Sequence, residues 1–220
     1  MTFLKIYLFD IKCIFCYTIK YRLNIIDKTN FKGGIFVKYF KKLVGKNVYL
    51  SPLNEDDTQI YVKWFNDMSL TDRLHQSHKI YSTVTEKEWI LNSLSKGLTN
   101  FAIVKVQDDT LIGNCGIMDI DSISRCATVG IFIGEEDNRG KGYGREALQL
   151  LIEFGFNYLN LKNINLSVFD FNKNAIKCYE KVGFKEYGRR HSAYFCNGKY
   201  YDVIYMEILS DYFSREGGSL

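Results

Sequence analysis

The sequence predicts an α/β fold of the α+β kind: a mixed, mainly antiparallel sheet of about seven strands flanked by about four helices. Three observations predict it. Apolar runs of strand length are joined by short polar turns, as at Asp108-Asp109 between residues 101–106 and 111–117, which is how an antiparallel meander reads. After Tyr143 the period changes. Ala147, Leu148, Leu151, Ile152, Gly155, Phe156 and Leu159 recur at helical spacing, with Arg145, Glu146, Gln149 and Glu153 on the other side. Near the C-terminus, Asn197-Gly198 between two alternating runs is a strong hairpin signal.

Taken in order, Val48, Leu50 and Leu53 read as a first strand ending at Pro52. Asn54 is a helix N-cap with Glu55, Asp56 and Asp57 in the first turn, and Ile60, Val62, Trp64 and Phe65 supply the apolar side of that helix. Residues 67–84 are polar and irregular, and His75 and His78 within them are expected to be solvated. Thr85 and Glu88 have the spacing of a capping box ahead of Trp89, Ile90 and Leu94. The strands at 101–106, 111–117 and 125–133 follow, with Gly113 and Gly116 as bulge or close-packing points. Beyond the central helix, Ile164, Leu166 and Val168 alternate as a strand. Ala175, Ile176, Tyr179 and Val182 then share one side of a helix that Gly183 ends. Val203, Tyr205 and Glu207 alternate with Ile204, Met206 and Ile208 in a closing strand. The order is β-α-α-β-β-β-α-β-α-β-β.

The stretch from Val129 to Arg145 carries the functional signal: a strand, a glycine-rich loop and a helix in succession. The first amides of a helix have no partner within it, and the helix dipole favours negative charge. Gly140, Gly142 and Gly144 let backbone approach an anion, and Arg139 and Lys141 add positive charge. The implied ligand is a phosphate or pyrophosphate, although a glycine-rich turn before a helix also arises from geometry alone. No Gly-x-x-x-x-Gly-Lys-Ser/Thr run exists, which excludes a P-loop. The glycines lack the spacing and βαβ context of a dinucleotide fingerprint.

The run Arg139-Gly140-Lys141-Gly142-Tyr143-Gly144 resembles the Arg/Gln-x-x-Gly-x-Gly/Ala signature of the GNAT superfamily of acetyl-CoA-dependent N-acetyltransferases. The segment from Asn172 through Ala175 and Tyr179 to Gly183-Phe184 resembles that family's Asn-x-x-Ala-x-x-x-Tyr-x-x-x-Gly-Phe segment. The resemblance covers residues 41–210. The pattern Tyr194-x-x-Asn-Gly-Lys-x-x-Asp202-x-x-x-Met206 looks like the branch holding ribosomal-protein Ser/Ala, spermidine and amino-sugar acetyltransferases.

The resemblance implies acetyl-CoA as co-substrate, with its pyrophosphate on the amides of Arg139, Gly140, Lys141, Gly142, Tyr143, Gly144 and Arg145. It implies backbone amides around Ile131, Phe132 and Ile133 that polarise the thioester carbonyl, and Asn172 and Asn174 near the cofactor unless they only cap the helix. Tyr179 stands where the family places the general acid for the CoA thiolate. A phenol near about 10 and a thiol near about 8.5 are close enough for proton transfer at short range. The base is not evident: some members carry a Glu at the position of Ser167, and Glu135, Asp119, Asp170 or His191 are the alternatives. Cys178 has no neighbouring base in the sequence, so direct transfer is expected rather than ping-pong. The acceptor is an amine of a protein N-terminus, a polyamine, an amino sugar or another small molecule. The competing reading is a non-catalytic acyl-CoA-binding or regulatory domain.

Composition bounds the rest. At 220 residues with 46% hydrophobic content, the chain is long enough for one packed domain. Net charge is +4, but residues 1–46 hold ten of the 29 Lys/Arg and only two of the 25 Asp/Glu, so the remainder is mildly acidic. That argues against a nucleic-acid surface there. Six scattered cysteines suit free thiols in a reducing cytoplasm, and the lone Cys13/Cys16 pair has no second ligand pair at zinc spacing, so no metal is expected. Residues 1–40 read as an atypical extension, residues 41–212 as the catalytic domain and 213–220 as a frayed tail. Lys5, Asp10 and Lys12 make the first apolar run too charged to span a membrane. It is a membrane-surface or partner-binding arm, an added packed element, or translation upstream of a misplaced start, with Val37 as an alternative start. The last is the expectation. No membrane is expected, and a homodimer is left open.

Overall fold

The computed structural model describes residues 37–213, and the readings of residues 1–36 and 214–220 lie outside the described residues. In chain order the elements are β1 (Leu43–Val44), β2 (Val48–Pro52), α1 (Thr58–Phe65), α2 (Met68–Thr71), α3 (Thr83–Ser95), β3 (Asn100–Lys105), β4 (Leu111–Asp121), β5 (Cys126–Ile133), α4 (Tyr143–Asn157), β6 (Asn163–Phe169), α5 (Lys173–Val182), β7 (Lys185–Cys196) and β8 (Lys199–Leu209). The eight strands form one sheet in the order β1-β2-β3-β4-β5-β6-β8-β7. Every neighbouring pair is antiparallel except β5 and β6, which α4 connects as a parallel crossover. The strand beyond the expected seven is the two-residue β1.

Strand alternation divides the core between two faces. On one, Leu148, Leu151 and Ile152 of α4 and Val182 of α5 pack with Leu50, Ile103, Ile112, Ile164 and Met206 of the sheet. On the other, Tyr61 and Trp64 of α1, Leu70 of α2 and Ile90 of α3 cover Tyr49, Ala102, Val104 and Leu111. Burying a side chain of this size contributes about 1.5–3 kcal/mol, so the two layers dominate the driving force.

Several local expectations need correction. Thr85 is not the cap of the third helix. Ser82 is, accepting from the Thr85 amide at 3.2 Å while Thr85 Oγ1 accepts from the Ser82 amide at 3.0 Å. The β-branched run Thr83-Val84-Thr85 hides this start from a propensity reading. Residues 67–84 hold the short helix α2, capped by Asp67 through the Ser69 amide at 2.9 Å. Asn54 caps a 3-10 turn that leads into α1. Gly113 and Gly116 are close-packing points: a Cβ on them would lie 2.1 Å from the Phe132 carbonyl oxygen and 2.2 Å from Asn100 Oδ1. Ile103 pairs with Gly113 and Val104 with Leu111, so the bulge falls on Ile112. Tyr39, two residues before the expected boundary, is buried and donates to the Asp57 carboxylate at 2.9 Å, and Lys38 pairs with the same carboxylate.

Candidate active site

The parallel pair that α4 creates is short. Cys126, Ala127 and Thr128 pair with Asn163, Ile164 and Asn165, and then β5 and β6 part. A side-chain clasp sits on the last rung: Asn165 Nδ2 donates to the Ala127 carbonyl at 2.9 Å, and Thr128 Oγ1 to Asn165 Oδ1 at 3.2 Å. Beyond it β5 stays paired with β4 as far as Ile133. The Gly134 amide donates to the Ile112 carbonyl at 2.9 Å. Antiparallel alternation therefore turns Gly130 and Phe132 toward β4 and leaves the Val129, Ile131 and Ile133 amides facing the gap. The Ile131 and Ile133 amides face the gap. The Phe132 amide does not: it faces β4, and its ring sits edge-on to Tyr61, Trp64 and Phe65 on the opposite layer.

The glycine loop closes the end of that gap. Gly140 and Gly142 have φ of +74° and +88°, the left-handed region that disfavours a side chain, and Gly142 is the N-cap of α4. A Cβ on either would meet nothing within 4 Å, so open space lies over the loop. The first bond into α4 is from the Glu146 amide to the Gly142 carbonyl at 3.0 Å. No amide from Gly140 to Arg145 donates to another group among the described residues. Lys141 and Arg145 are exposed beside these amides, while Tyr143 is half-buried against the core. Unpaired amides, free space and two cations fit a diphosphate.

Arg139 departs from its expected part. Its Nε donates to the Ile133 carbonyl at 3.0 Å and a terminal nitrogen to the Gly134 carbonyl, so its guanidinium ties the loop to the end of β5. Glu146, in the first turn of α4, accepts from the Asn47 amide and side chain, both at 2.8 Å. That turns its charge away from the loop. Sequence reading missed this anchor, because its partner lies 99 residues away.

Tyr179 lies on α5, half-buried against the α4–α5 core, its ring 6.0 Å from Phe184. Its hydroxyl makes no hydrogen bond among the described residues. Burial, then the neighbouring Cys178, pushes its phenol up, so it stays protonated at neutral pH. Burial also pushes the Cys178 thiol up, against the pull of Arg145 and Lys181, which disfavours a thiolate nucleophile. Asn172 caps α5, accepting from the Ala175 amide at 3.4 Å. Exposed Asn174 lines a cleft of about 290 Å³ with Asn172, Lys173, Phe171 and, from α2, Ser69 and the following Asp72 and Arg73.

The candidate bases do not gather at the gap. Glu135 accepts from Lys63 at 2.7 Å and Trp64 Nε1 at 3.0 Å, and these bonds hold its carboxyl below the usual range. His191 is bound to Asp202 at 3.0 Å on the β7–β8 hairpin. Asp119 is exposed on β4, and Asp170 follows β6 with Oδ1 buried and unbonded among the described residues. Ser167 is exposed. His75 is exposed yet not merely solvated: its ring stands 4.8 Å from Tyr194 and 5.9 Å from Phe169. Tyr194 in turn donates to the Asp72 carbonyl at 2.9 Å. This bolts the loop after α2 onto β6 and β7.

Residues 47–185 match the family model described as an acetyltransferase (GNAT) domain. The chain belongs to the GNAT acetyltransferase family. It is 27% identical over 175 residues to an uncharacterized prophage-derived N-acetyltransferase, YokL, of Bacillus subtilis, covering 79% of this chain and 96% of that protein. It is 37% identical over 114 residues to a spermidine N(1)-acetyltransferase of Vibrio cholerae, covering 51% and 65% of the two chains. A crystal structure of the V. cholerae spermidine N-acetyltransferase with CoA and spermine superposes with a TM-score of 0.69 at 27% identity, covering 76% of this chain and 98% of that one. This GNAT protein is thus an acetyl-CoA-dependent N-acetyltransferase acting on amines, and the reading as a non-catalytic domain falls. Among the described residues no helix is long and apolar enough to cross a membrane. Among the described residues no three His, Cys, Asp or Glu are grouped so as to hold a metal ion.

Proposed function

We propose that this enzyme acetylates a primary amine by direct attack in the β5–β6 gap, with Tyr179 as the proton donor. The observation that carries the reading is the convergence on one gap of two gap-facing amides, Ile131 and Ile133, with a glycine loop of unpartnered amides at its end. Acetyl-CoA supplies a thioester whose acyl carbon accepts the amine and whose thiolate leaves. The amides of Gly140 to Arg145 hold the diphosphate. The Ile131 and Ile133 amides donate to the carbonyl oxygen, a contribution of about 3 kcal/mol when such donors are preorganised. Tyr179 gives its proton to the departing sulfur, and Asn172 and Asn174 border the path of the pantetheine arm. No side-chain base is assigned; the fraction of amine that arrives deprotonated attacks, and solvent takes the proton.

Polyamines, protein N-termini and amino sugars are the acceptor classes, the first two supported by the names of relatives. The enzyme is placed in the cytoplasm, in keeping with the free thiols Cys115, Cys126, Cys178 and Cys196. Its catalytic domain is placed at residues 41–212 with Lys38 and Tyr39 added. A homodimer is part of the proposal, since β7 is an edge strand and edges of this kind pair with a second chain. Sedimentation velocity tests it. The activity is tested by release of free thiol from acetyl-CoA with a panel of amines. CoA binding without turnover of any amine would overturn it.

A further inference from the structure

The amide of Ile133 faces the gap rather than a neighbouring strand. A donor that waits for its acceptor cannot fix its own direction, so its aim depends on the peptide units on either side. Both residues that flank Ile133 are gripped, and one side chain packs against both. The Phe132 ring stands edge-on to Trp64, with centroids 5.9 Å apart and planes at 83°. On the other flank, a Cβ on Gly134 would lie 2.1 Å from Trp64 Cε2, 2.4 Å from Cδ2 and 2.5 Å from Nε1. The indole fills the space that any side chain at position 134 would need.

Trp64 belongs to α1 and is itself fixed. It is buried, packs edge-on against Tyr61 at 5.5 Å, and its Nε1 donates to Glu135 Oε1 at 3.0 Å. Lys63, the preceding residue of α1, donates to the same oxygen at 2.7 Å. So α1 holds residues 134 and 135 by one ring face and two hydrogen bonds. From other directions, the Gly134 amide donates to the Ile112 carbonyl at 2.9 Å, and Arg139 donates to the Ile133 and Gly134 carbonyls. Burial alone would be served by any large apolar ring in α1. The Nε1–Glu135 bond and the glycine that admits the indole add alignment to that burial.

We infer that Trp64 is a positioning residue for the transfer, with Glu135 as its tether: from the α1–α3 layer it aims the Ile133 amide at the thioester carbonyl oxygen. This rests on the proposed reaction at the gap. It gives Glu135 a part that needs its acceptor oxygen and not its basicity. Misplacing a group in such a site by about 1 Å costs up to about 10²-fold in rate. The amides assigned to the diphosphate start at Gly140 and run into α4, away from the indole. The loss of aim therefore falls on kcat and not on CoA affinity.

The test uses the full chain with saturating acetyl-CoA and follows thiol release with spermidine, an alanine-leading peptide and glucosamine, carrying the fastest acceptor through the variants. Trp64→Phe keeps a ring beside Phe132 but drops the Nε1 donor and part of the contact with Gly134. It is expected to lower kcat about tenfold, while CoA affinity by calorimetry stays within about threefold. The Glu135 side chain is 45% exposed, so its variants keep the fold even where Trp64→Phe does not. Glu135→Ala is expected to lower kcat about threefold or more. Glu135→Gln, which still offers the indole an acceptor oxygen, is expected to restore it between about pH 6 and 9. A merely structural part for Trp64 would lower the melting temperature and leave kcat of the CoA-binding fraction at the wild-type value. That result overturns the inference, as does a Glu135→Gln as slow as Glu135→Ala or a Glu135→Ala as fast as wild type, and each leaves the acetyltransferase reading intact. Absence of wild-type turnover with every amine overturns both.

Discussion

Replacing Tyr179 by Phe separates chemistry from structure. The hydroxyl makes no hydrogen bond among the described residues, and the ring keeps its packing against Phe184 and the α4–α5 core. Stability is therefore expected to change by less than about 0.5 kcal/mol, the scale of a neutral substitution. Turnover behaves differently. A positioned general acid contributes about 10²–10⁴-fold. Burial raises the Tyr179 phenol, whereas a CoA-type thiol sits near about 8.5. Proton transfer to the thiolate is thus uphill, at about 1.4 kcal/mol per unit of mismatch. The loss in kcat should fall at the low end of the range, near about 10²-fold. Because the phenol is raised, the wild-type profile should show no loss from its ionisation up to about pH 10. The assay is thiol release from acetyl-CoA between pH 6 and 10, about the range of amine titration, with CoA affinity by calorimetry alongside. Equal turnover of Tyr179→Phe and wild type across that range would remove Tyr179 from the mechanism.

Three further substitutions probe the loop and the core. Gly142→Glu puts a side chain at φ +88°, a conformation costing about 1–2 kcal/mol, and sets a carboxylate beside the diphosphate. Space there is free, so the protein should fold and bind CoA at least about tenfold more weakly by calorimetry; unchanged affinity would contradict the loop assignment. Glu86, buried in the first turn of α3, is pushed up from 4.5 to about 6 by burial. Its folded value lies above its unfolded one, so its contribution is full below pH 4.5 and lost as pH rises through 6. Glu86→Gln should therefore be more stable than wild type at pH 7, by about 1 kcal/mol after solvent screening, and denaturant melts at pH 4 and 7 would show no such crossover if the carboxyl were solvated. Tyr39→Phe removes a donor from the buried Asp57 carboxylate and should cost about 1.5–3 kcal/mol. An unchanged melting temperature would place Lys38 and Tyr39 outside the folded domain.

Much of this molecule was legible in its sequence because the informative features are local. The glycine loop, Asn172 as cap, Gly183 at φ +112° and the Asn197-Gly198 turn with both φ positive are each decided within a few residues. What escaped depends on distance or parity. The Ser82 cap of α3 escapes a sequence reading because its box lies in a β-branched run that propensity disfavours. The opposite facing of Phe132 relative to Ile131 and Ile133 escapes too, because run composition says nothing about which amides face which neighbour. Only the β4 register, with Gly134 bonded to Ile112, settles that. Arg139 has the charge of a phosphate ligand, and only the fold reveals two carbonyls within its reach.

The gap itself has a physical cause that follows from these pieces. A parallel pair holds together while both strands keep the same direction, and here three things end that condition after three residue pairs. The Asn165 side chain takes the Ala127 carbonyl and the Thr128 hydroxyl, fixing where pairing stops. The β4 ladder continues on the other edge of β5 as far as Ile133, so β5 is carried away with β4 when β6 diverges. Arg139 then satisfies the Ile133 carbonyl, which would otherwise be an orphaned acceptor on the open edge and a reason for β6 to close back. Only the terminal acceptor is filled, so the edge at Val129 and Ile131 keeps both N–H and C=O groups open to an incoming chain, as an added strand would need. The same two bonds make Arg139 the link that holds the end of β5 and the start of the loop in one geometry.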